Sequence, residues 1–309
     1  MRVFMTGATG EIGRRAVPLM IVAGHQVTAV SRSARNREIL RQLGATPVEA
    51  DLFNVASLLR AMAGHDAVVN LATHVPSSST MMLMRRAWRE NDRIRKEASL
   101  AVATAARAEG LTRMVQESFA LIYPDSGDAW IDESMAVSPA GYTESVLDAE
   151  RSANQFTETG GEGVILRFAA LYGPDSTLVE MIRLLRKGWS PLPGDPEAYF
   201  SSLAQGDAAA AVVAALGAPA GTYNVSDDQP LRRAEWAGSL AAALGLPRPR
   251  SIPSWMVRLG GPTMRLLSRS ERISNRRFRA AAQWAPRYAS VHDAWSAIVR
   301  SLHDARAVA

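Results

Sequence analysis

The sequence predicts an α/β protein built on a doubly wound parallel sheet with a smaller C-terminal lobe. Short apolar runs of strand length alternate with segments whose apolar residues recur at helical spacing. The chain opens on a strand, a glycine-rich turn and an amphipathic helix, which together begin a βαβ unit. With 309 residues, 47% of them hydrophobic, it is long enough to bury a full core.

Turn residues and apolar periodicity give the order of the elements. Glycines end the predicted helices, and glycines and prolines punctuate the second half of the chain. We expect parallel strands at 2–5, 27–30, 47–50, 67–72, 113–116 and 164–168, with helices at 12–23, 39–43, 55–62, 88–108 and 141–158 between them.

The second half of the chain is expected to form the smaller lobe. A helix at 208–216 and a strand at 222–225 are predicted to return to the main sheet. The main domain therefore covers residues 1–170, with 204–226 returning to it, and the lobe covers 171–203 and 227–309.

Composition narrows the possible functions. The chain has no cysteine, which excludes disulfides and thiolate chemistry, and its five histidines show no metal-ligand spacing. No apolar run approaches the roughly 20 residues that a membrane helix needs. The net charge of +5 is carried almost wholly by arginine, without a basic block that contains aromatics. We expect a cytoplasmic protein without metal, nucleic-acid partner or membrane contact.

A glycine-rich turn between the first strand and the first helix predicts a dinucleotide site. Gly7, Gly10 and Gly13 let backbone N–H groups and the positive helix end approach a pyrophosphate, where a Cβ would clash. Thr9, Glu11 and Ile12 complete this candidate loop. A purely structural turn is the alternative interpretation.

The end of the second strand favours NADP(H) over NAD(H). NAD-selective sites usually carry an acidic residue there, whereas this chain has Ser31 and Arg32, with Arg35 or Arg37 close behind. Arginine suits a 2′-phosphate electrostatically. In a chain so rich in arginine, a solvated loop arginine is the competing interpretation.

Four segments together resemble the extended short-chain dehydrogenase/reductases, in particular the epimerase/dehydratase group. They are the 6–13 loop, Asp51-Leu52, the 70–73 segment and the run from 166 to 174. The similarity to the epimerase/dehydratase group lies in the C-terminal segments 221–225 and 284–288. The resemblance covers nearly the whole chain and implies a Rossmann fold with a substrate-binding C-terminal lobe. It also implies cofactor contacts from Asp51, Leu52, Leu71, Ala72, Thr73, Asn91, Phe168 and Leu171.

The catalytic positions depart from that family. Phe119 stands where the family has a serine or threonine, and Val146 replaces the lysine four residues after Tyr142. Without that lysine, Tyr142 stays protonated at neutral pH, which suits a proton donor better than a base. The candidate catalytic residues are Tyr142 and Ser118. Ser118 reaches the substrate if a small bulge turns it inward, and core packing is the alternative role for both. A further alternative is that the substrate supplies its own proton donor.

These features lead to three hypotheses. The first is an NADP(H)-dependent ketoreductase for a bulky, largely apolar small molecule. In lacking the lysine, the chain resembles tailoring ketoreductases that act on aromatic polyketides, such as angucyclinones, in antibiotic biosynthesis. The second is a non-catalytic NADP(H)-binding sensor similar to NmrA-like proteins. The third is a nucleotide-sugar epimerase or dehydratase. The resemblance implies a monomer or a homodimer.

Overall fold

Seven parallel strands form the central sheet of the structure, a computed structural model that describes residues 1–76, 79–82 and 84–307. The strands of the described residues are β1 Arg2–Thr6, β2 Gln26–Val30, β3 Thr46–Val48, β4 Ala67–Asn70, β5 Arg113–Phe119, β6 Trp130–Ile131, β7 Glu162–Phe168, β8 Ala170–Tyr172, β9 Tyr199–Phe200, β10 Ser202–Ala204, β11 Gly221–Val225, β12 Leu231–Arg232 and β13 Arg272–Ile273.

The helices follow the strands in alternation through the first half of the chain. They are α1 Gly13–Val22, α2 Ala34–Gln42, α3 Val55–Met62, α4 Ser79–Met82, α5 Arg89–Arg93, α6 Ser99–Ala108, α7 Val146–Glu158, α8 Ser176–Arg186, α9 Gln205–Ala215, α10 Arg233–Ala243, α11 Ser254–Leu259, α12 Gly261–Leu267, α13 Arg276–Ala282 and α14 Val291–Ala307.

The strand order is β11-β7-β5-β4-β1-β2-β3, so the direction of winding reverses between β1 and β4. The pairs along this sheet are parallel. In open α/β sheets, ligands bind outside the carboxyl ends of the strands at such a reversal. The topology therefore places a crevice above the ends of β1 and β4, and it confirms the predicted doubly wound α/β class.

Alternating side chains of the strands pack against helices on both faces of the sheet. Val3 and Met5 join one core cluster with α1 and α9. Phe4, between them, points to the other face and joins a second cluster with residues of α3, α6 and α7. This alternation is the two-residue period of a strand that is buried on both sides.

The helix predicted at 88–108 contains a local widening. A 3₁₀ turn at Arg85–Trp88 leads into α5, and a π-helical turn at Ile94–Ala98 joins α5 to α6. Such π turns frequently occur at functional sites. Here the widened turn contains Arg95 and begins three residues after Asn91.

Short strand pairs and a third apolar cluster build the rest of the molecule. β8 pairs with β10, β9 with β12, and β6 with β13, outside the main sheet. Trp236 and Trp295 meet edge to face in the third cluster, beside Tyr172. Within the described residues, no helix combines the length and apolar character needed to cross a membrane.

Candidate functional site

The glycine loop after β1 is built so that only glycine fits. Gly7 has a left-handed φ of +69°, and a Cβ there would overlap the backbone of Leu71. A Cβ on Gly13 would overlap the carbonyl oxygen of Gly7. Gly10 closes the turn, since its N–H donates to the Gly7 oxygen at 3.0 Å. The close packing holds the loop against the backbone of Leu71, just after the end of β4.

The loop leads into the uncapped N-terminus of α1. The residue before the helix, Ile12, provides no side-chain cap, and the first turn carries no acidic residue. Glu11 lies just ahead and is paired with Arg14 at 3.1 Å and with Arg15 at 2.9 Å. The N–H groups of Arg14 and Arg15 donate to the Gly10 and Ile12 carbonyls, so it is chiefly the helix dipole that favours an anion at this point.

A buried polar ladder fixes the strand ends beneath the loop. Thr6 Oγ1 donates to Asn70 Oδ1 at 2.5 Å, and Asn70 Nδ2 donates to Gln116 Oε1 at 2.8 Å and to Ser99 Oγ at 3.2 Å. The ladder links β1, β4, β5 and α6, and it gives these buried polar side chains hydrogen-bond partners. The sequence prediction missed it because each partner lies far away along the chain.

A cavity of about 490 Å³ opens beside the ends of β2 and β3. Its lining brings together Arg32, Asp51 and Leu52, which the sequence assigned to the cofactor from two separate segments. The full lining is Ser31, Arg32, Glu49, Ala50, Asp51, Leu52, Phe53, Ser57 and Ile94. The sequence analysis did not identify Phe53 as a lining residue. The Arg93 guanidinium lies 3.8 Å from the centroid of the Phe53 ring.

Arg32 supplies an uncommitted positive charge to this cavity. Among the described residues no acidic side chain pairs with Arg32, and Arg37 instead pairs with Glu49. Asp51 is held by its own turn, since its Oδ1 accepts from the Phe53 N–H at 3.0 Å. Arg35 is exposed in the first turn of α2 and does not line the cavity.

Beyond the glycine loop, the chain after β4 borders the other end of the crevice. Leu71 is buried, while Ala72 and Thr73 are half-buried. The N–H of His74 donates to Asn91 Oδ1 at 2.9 Å, which ties this segment to α5. Asn91 is completely buried, and its Nδ2 has no hydrogen-bond partner within the described chain.

Tyr142 lies in an aromatic and aliphatic cluster at the end of β5. Its ring stacks on Trp88, and the cluster also contains Leu121 and Leu266, with Phe119 packed against it. Phe119 is paired in register with Phe168 of β7, which links the cluster to the expected nicotinamide side. Phe168 is buried, and Leu171 in β8 is half-buried.

Among the described residues, no cation takes the place of the missing lysine beside Tyr142. Val146 is fully buried on α7, and the positive charge that acts on the phenol is Arg95, which is itself paired with Glu117 at 2.9 Å. Burial raises the pKa of Tyr142 well above 10, the charge of Glu271 raises it further, and Arg95 lowers it less. The phenol stays protonated and can donate a hydrogen bond.

The structure corrects the interpretation of Ser118 as a proton partner. β5 and β7 pair in unbroken register through Ser118 and Phe119, so no bulge turns the hydroxyl toward a substrate. Ser118 is completely buried and donates to Glu150 Oε1 at 2.5 Å. Glu150 also accepts two hydrogen bonds of 2.7 Å from Arg167. Ser118 therefore belongs to a buried ion-pair network.

The arrangement fits a dinucleotide along the strand ends. Gly7 and Gly13 leave the space that a Cβ would fill, and the open start of α1 favours a phosphate. Arg32 and the adjoining cavity lie at one end, and Tyr142 lies at the other. The glycine loop, Arg32, Asp51 and the segment after β4 each follow the carboxyl end of a parallel strand.

Comparison with known proteins agrees with this geometry. Residues 7–219 match the family described as NAD(P)H-binding. The chain is 30% identical over 310 residues to a 3-diazoavenalumate denitrifying reductase of a Streptomyces species, covering 95% of this chain and 98% of the relative.

Two further relatives support the same grouping. A 4-hydroxy-2-methyl-3-oxo-4-farnesyl-3,4-dihydroquinoline-1-oxide ketoreductase of Stigmatella aurantiaca is 29% identical over 198 residues, or 61% of this chain and 57% of the relative. The crystal structure of a human epimerase family protein, SDR39U1, with NADPH has a TM-score of 0.77 at 22% identity, covering 97% of this chain and 99% of that one. The chain belongs to the NAD(P)-binding, epimerase/dehydratase-like short-chain dehydrogenase/reductases, as an atypical extended member.

Proposed function

We propose that the protein is an NADPH-dependent ketoreductase that transfers hydride to a carbonyl of a bulky, largely apolar small molecule. The observation that carries this proposal is the state of Tyr142. Its phenol is buried in an aromatic cluster without the family's lysine, so it is protonated and able to donate. Epimerisation and alcohol oxidation begin with proton removal, for which such a phenol is poorly suited.

Arg32 favours NADPH over NADH. Its guanidinium is exposed at the cavity beside Asp51 and Leu52 and has no acidic partner among the described residues. A 2′-phosphate would supply that partner through charge-assisted hydrogen bonds. Glu49 also lines the cavity, but its ion pair with Arg37 offsets its charge toward an incoming phosphate.

The chain's own residues bind, orient and polarise the substrate. When bound, the nicotinamide supplies a hydride. Tyr142 donates a hydrogen bond to the carbonyl oxygen, which makes the carbonyl carbon more electrophilic and stabilises negative charge on the oxygen. Trp88 and Phe119 exclude water around the phenol, which strengthens this hydrogen bond.

The lining of the cluster favours a flat aromatic substrate such as an angucyclinone-like polyketide. Trp88, Tyr142, Leu121 and Leu266 form a buried aromatic and aliphatic cluster, which suits an apolar neighbour. The Stigmatella relative, whose name describes reduction of an apolar quinoline-type ketone, supports this substrate class.

A panel of aromatic polyketide ketones, assayed for NADPH consumption and for the alcohol product, tests the proposal. The expected result is ketone-dependent turnover that is much faster with NADPH than with NADH. Tight NADPH binding without turnover across the panel would contradict it and would favour a sensor of the NmrA-like kind.

A second candidate function is the reductive removal of dinitrogen from a diazo-substituted aromatic ring. Phe119 and Val146 favour it, because they replace the two residues that assist proton transfer in this family. An aryl diazonium and a hydride together give the arene and dinitrogen, so no external proton is needed. The Streptomyces relative is named as a denitrifying reductase of a diazo compound.

Loss of the diazo absorbance in the presence of NADPH, with release of dinitrogen, tests this second candidate. One equivalent of dinitrogen for each NADPH oxidised would favour it over ketone reduction. A ketone-only activity, with the diazo compound left intact, would eliminate it.

A further inference from the structure

Glu271 carries a buried carboxyl group that has no hydrogen-bond partner among the described residues. The residue precedes β13 and is 8% exposed. Its backbone is fixed, since its N–H donates to the Tyr199 oxygen at 3.1 Å and its carbonyl accepts from Ser201 Oγ at 2.8 Å. No hydrogen bond reaches its side chain from the described residues, and Oε1 is fully enclosed. Buried carboxyl groups are rarely left unpaired.

Arg233 is the charge that most favours the ionised form of Glu271. Two of its guanidinium nitrogens also lack hydrogen-bond partners among the described residues. It is 3% exposed at the start of α10, and its Nη2 donates to the Arg269 carbonyl at 2.7 Å. Its Nε and Nη1 have no partner in the described part of the chain, and no ion-pair contact joins it to Glu271. Burial lowers the pKa of Arg233 to about 10, so it remains charged at neutral pH.

Four charged or titratable groups act on the Glu271 carboxyl or respond to it. Arg233 and Arg269 favour its charged form, and Asp125 opposes that form. The Arg269 guanidinium is already bonded to the carbonyls of Tyr123 and Ser138, at 2.7 and 2.8 Å. Burial outweighs the two arginines and raises the pKa of Glu271 to about 8.

The fourth group is Tyr142 of the proposed site. Glu271 is the strongest charge acting on the Tyr142 phenol. The two residues are also linked through the chain, because Leu266 at the end of α12 packs in the Tyr142 cluster a few residues before Glu271. An unpaired carboxyl group thus lies within electrostatic range of the phenol that would bind the substrate oxygen.

We propose that Glu271 is the acid that supplies the proton in the reduction, in place of the family's lysine-dependent relay. The inference rests on the proposed ketoreductase function. The carbonyl carbon gains a hydride from NADPH, its C=O π bond breaks, and the oxygen takes the Glu271 proton while Tyr142 donates a hydrogen bond. The products are the alcohol, NADP⁺ and a Glu271 carboxylate, which Arg233 stabilises until solvent returns the proton.

The division of labour follows from acidity. Tyr142 has a pKa raised so far that it gives up a proton reluctantly, although it remains a good hydrogen-bond donor. A carboxylic acid that titrates close to neutral pH is both protonated and acidic enough to transfer its proton. In the proposed reduction the phenol therefore holds the substrate oxygen, and the carboxyl group supplies the proton.

The test compares Glu271→Gln with the wild type over a range of pH, using a ketone that the wild type reduces. We expect kcat to fall about 100-fold or more with KM little changed. The wild-type rate should decline as the pH rises through about 8, and this decline should be absent from E271Q. Glu271→Asp should restore part of the rate and the pH dependence. E271Q that keeps the wild-type rate and pH dependence would overturn the proposal.

A matched control is Glu133→Gln. Burial also raises the pKa of Glu133, which accepts a hydrogen bond from the Asn224 N–H at 2.7 Å. This variant should leave the rate and its pH dependence unchanged.

A second measurement is independent of turnover and of the folding of E271Q. Carbon-13 NMR of wild-type protein labelled at the glutamate carboxyl groups should show one that titrates near 8. Titration of every glutamate in the ordinary acidic range would overturn the proposal. If this carboxyl titrates as expected but no ketone is reduced, the ketoreductase function fails and takes the proton donation with it. If ketones are reduced and E271Q behaves as wild type, only the role of Glu271 fails.

Discussion

The Tyr142 phenol ring stacks on the Trp88 indole, with ring centroids 3.9 Å apart and planes 10° from parallel. The indole is itself anchored, since Nε1 donates to the Met82 carbonyl at 2.9 Å. In this chain the orientation of the tyrosine is therefore fixed by aromatic packing, without the lysine found in its family. The consequence is a phenol held in place but not activated as a base.

Replacing Tyr142 with phenylalanine tests the hydrogen bond while keeping the stacking. We expect kcat/KM for ketone reduction to fall about 100-fold, as when one donor to a developing oxyanion is removed. The pH dependence should stay, because Glu271 still supplies the proton. NADPH affinity, measured by calorimetry, should be unchanged. A rate within threefold, roughly, of the wild type would contradict a role for the phenol.

Arg32→Ala tests the assignment of the cavity beside β2 to the 2′-phosphate. Loss of one charge-assisted contact should weaken NADPH binding by about 10-fold or more and leave NADH binding nearly unchanged. Arg35→Ala is the matched control, since Arg35 does not line the cavity, and we expect a much smaller effect. Equal losses for both cofactors would show that Arg32 does not read the phosphate.

Gly13→Ala tests the close packing of the phosphate loop. The added Cβ would overlap the Gly7 carbonyl, so we expect the loss of cofactor binding and a lower melting temperature. Gly238→Ala provides the control within α10, where a Cβ meets nothing and alanine should add about 0.5–1 kcal/mol of stability. Fluorescence titration with NADPH and thermal unfolding measure both effects, and normal NADPH binding by G13A would contradict the assigned loop.

The network around Ser118 should affect stability more than chemistry. Glu150→Gln leaves the buried Arg167 without its countercharge and should cost about 3–5 kcal/mol. Ser118→Ala removes one hydrogen bond to that carboxylate and should cost about 1–3 kcal/mol, with kcat close to the wild type. Urea unfolding and steady-state rates separate the two effects. A large loss of kcat in a stable S118A protein would restore Ser118 as a catalytic candidate.

Local sequence patterns predicted the parts of the site that depend on neighbouring residues. The glycine spacing predicted the loop at Gly7, and Arg32 and Asp51, assigned separately to the cofactor, both line one cavity. Ser118 was misassigned because a regular strand directs its side chain toward Glu150, a partner distant in sequence. Glu271 gave no signal, since its environment is built by Tyr142 and Arg233 from other parts of the chain.

The raised pKa of Glu271 also predicts how stability depends on pH. The folded state holds a proton up to about 8, whereas the unfolded carboxyl releases it near 4.5. The stability that this group contributes is fully present below pH 4.5 and is lost as the pH rises through about 8. The free energy of unfolding then falls by up to about 1.4 kcal/mol per pH unit. Urea unfolding should show this slope in the wild type and not in E271Q. Equal slopes would indicate that Glu271 is ionised in the folded protein at neutral pH.

The most direct test of the central claim is isotope transfer from NADPH deuterated at the nicotinamide C4 position to an aromatic ketone. The account predicts an alcohol that carries one deuterium on the former carbonyl carbon, in wild-type protein and more slowly in Y142F. An unlabelled ketone recovered after prolonged incubation with bound NADPH would contradict it.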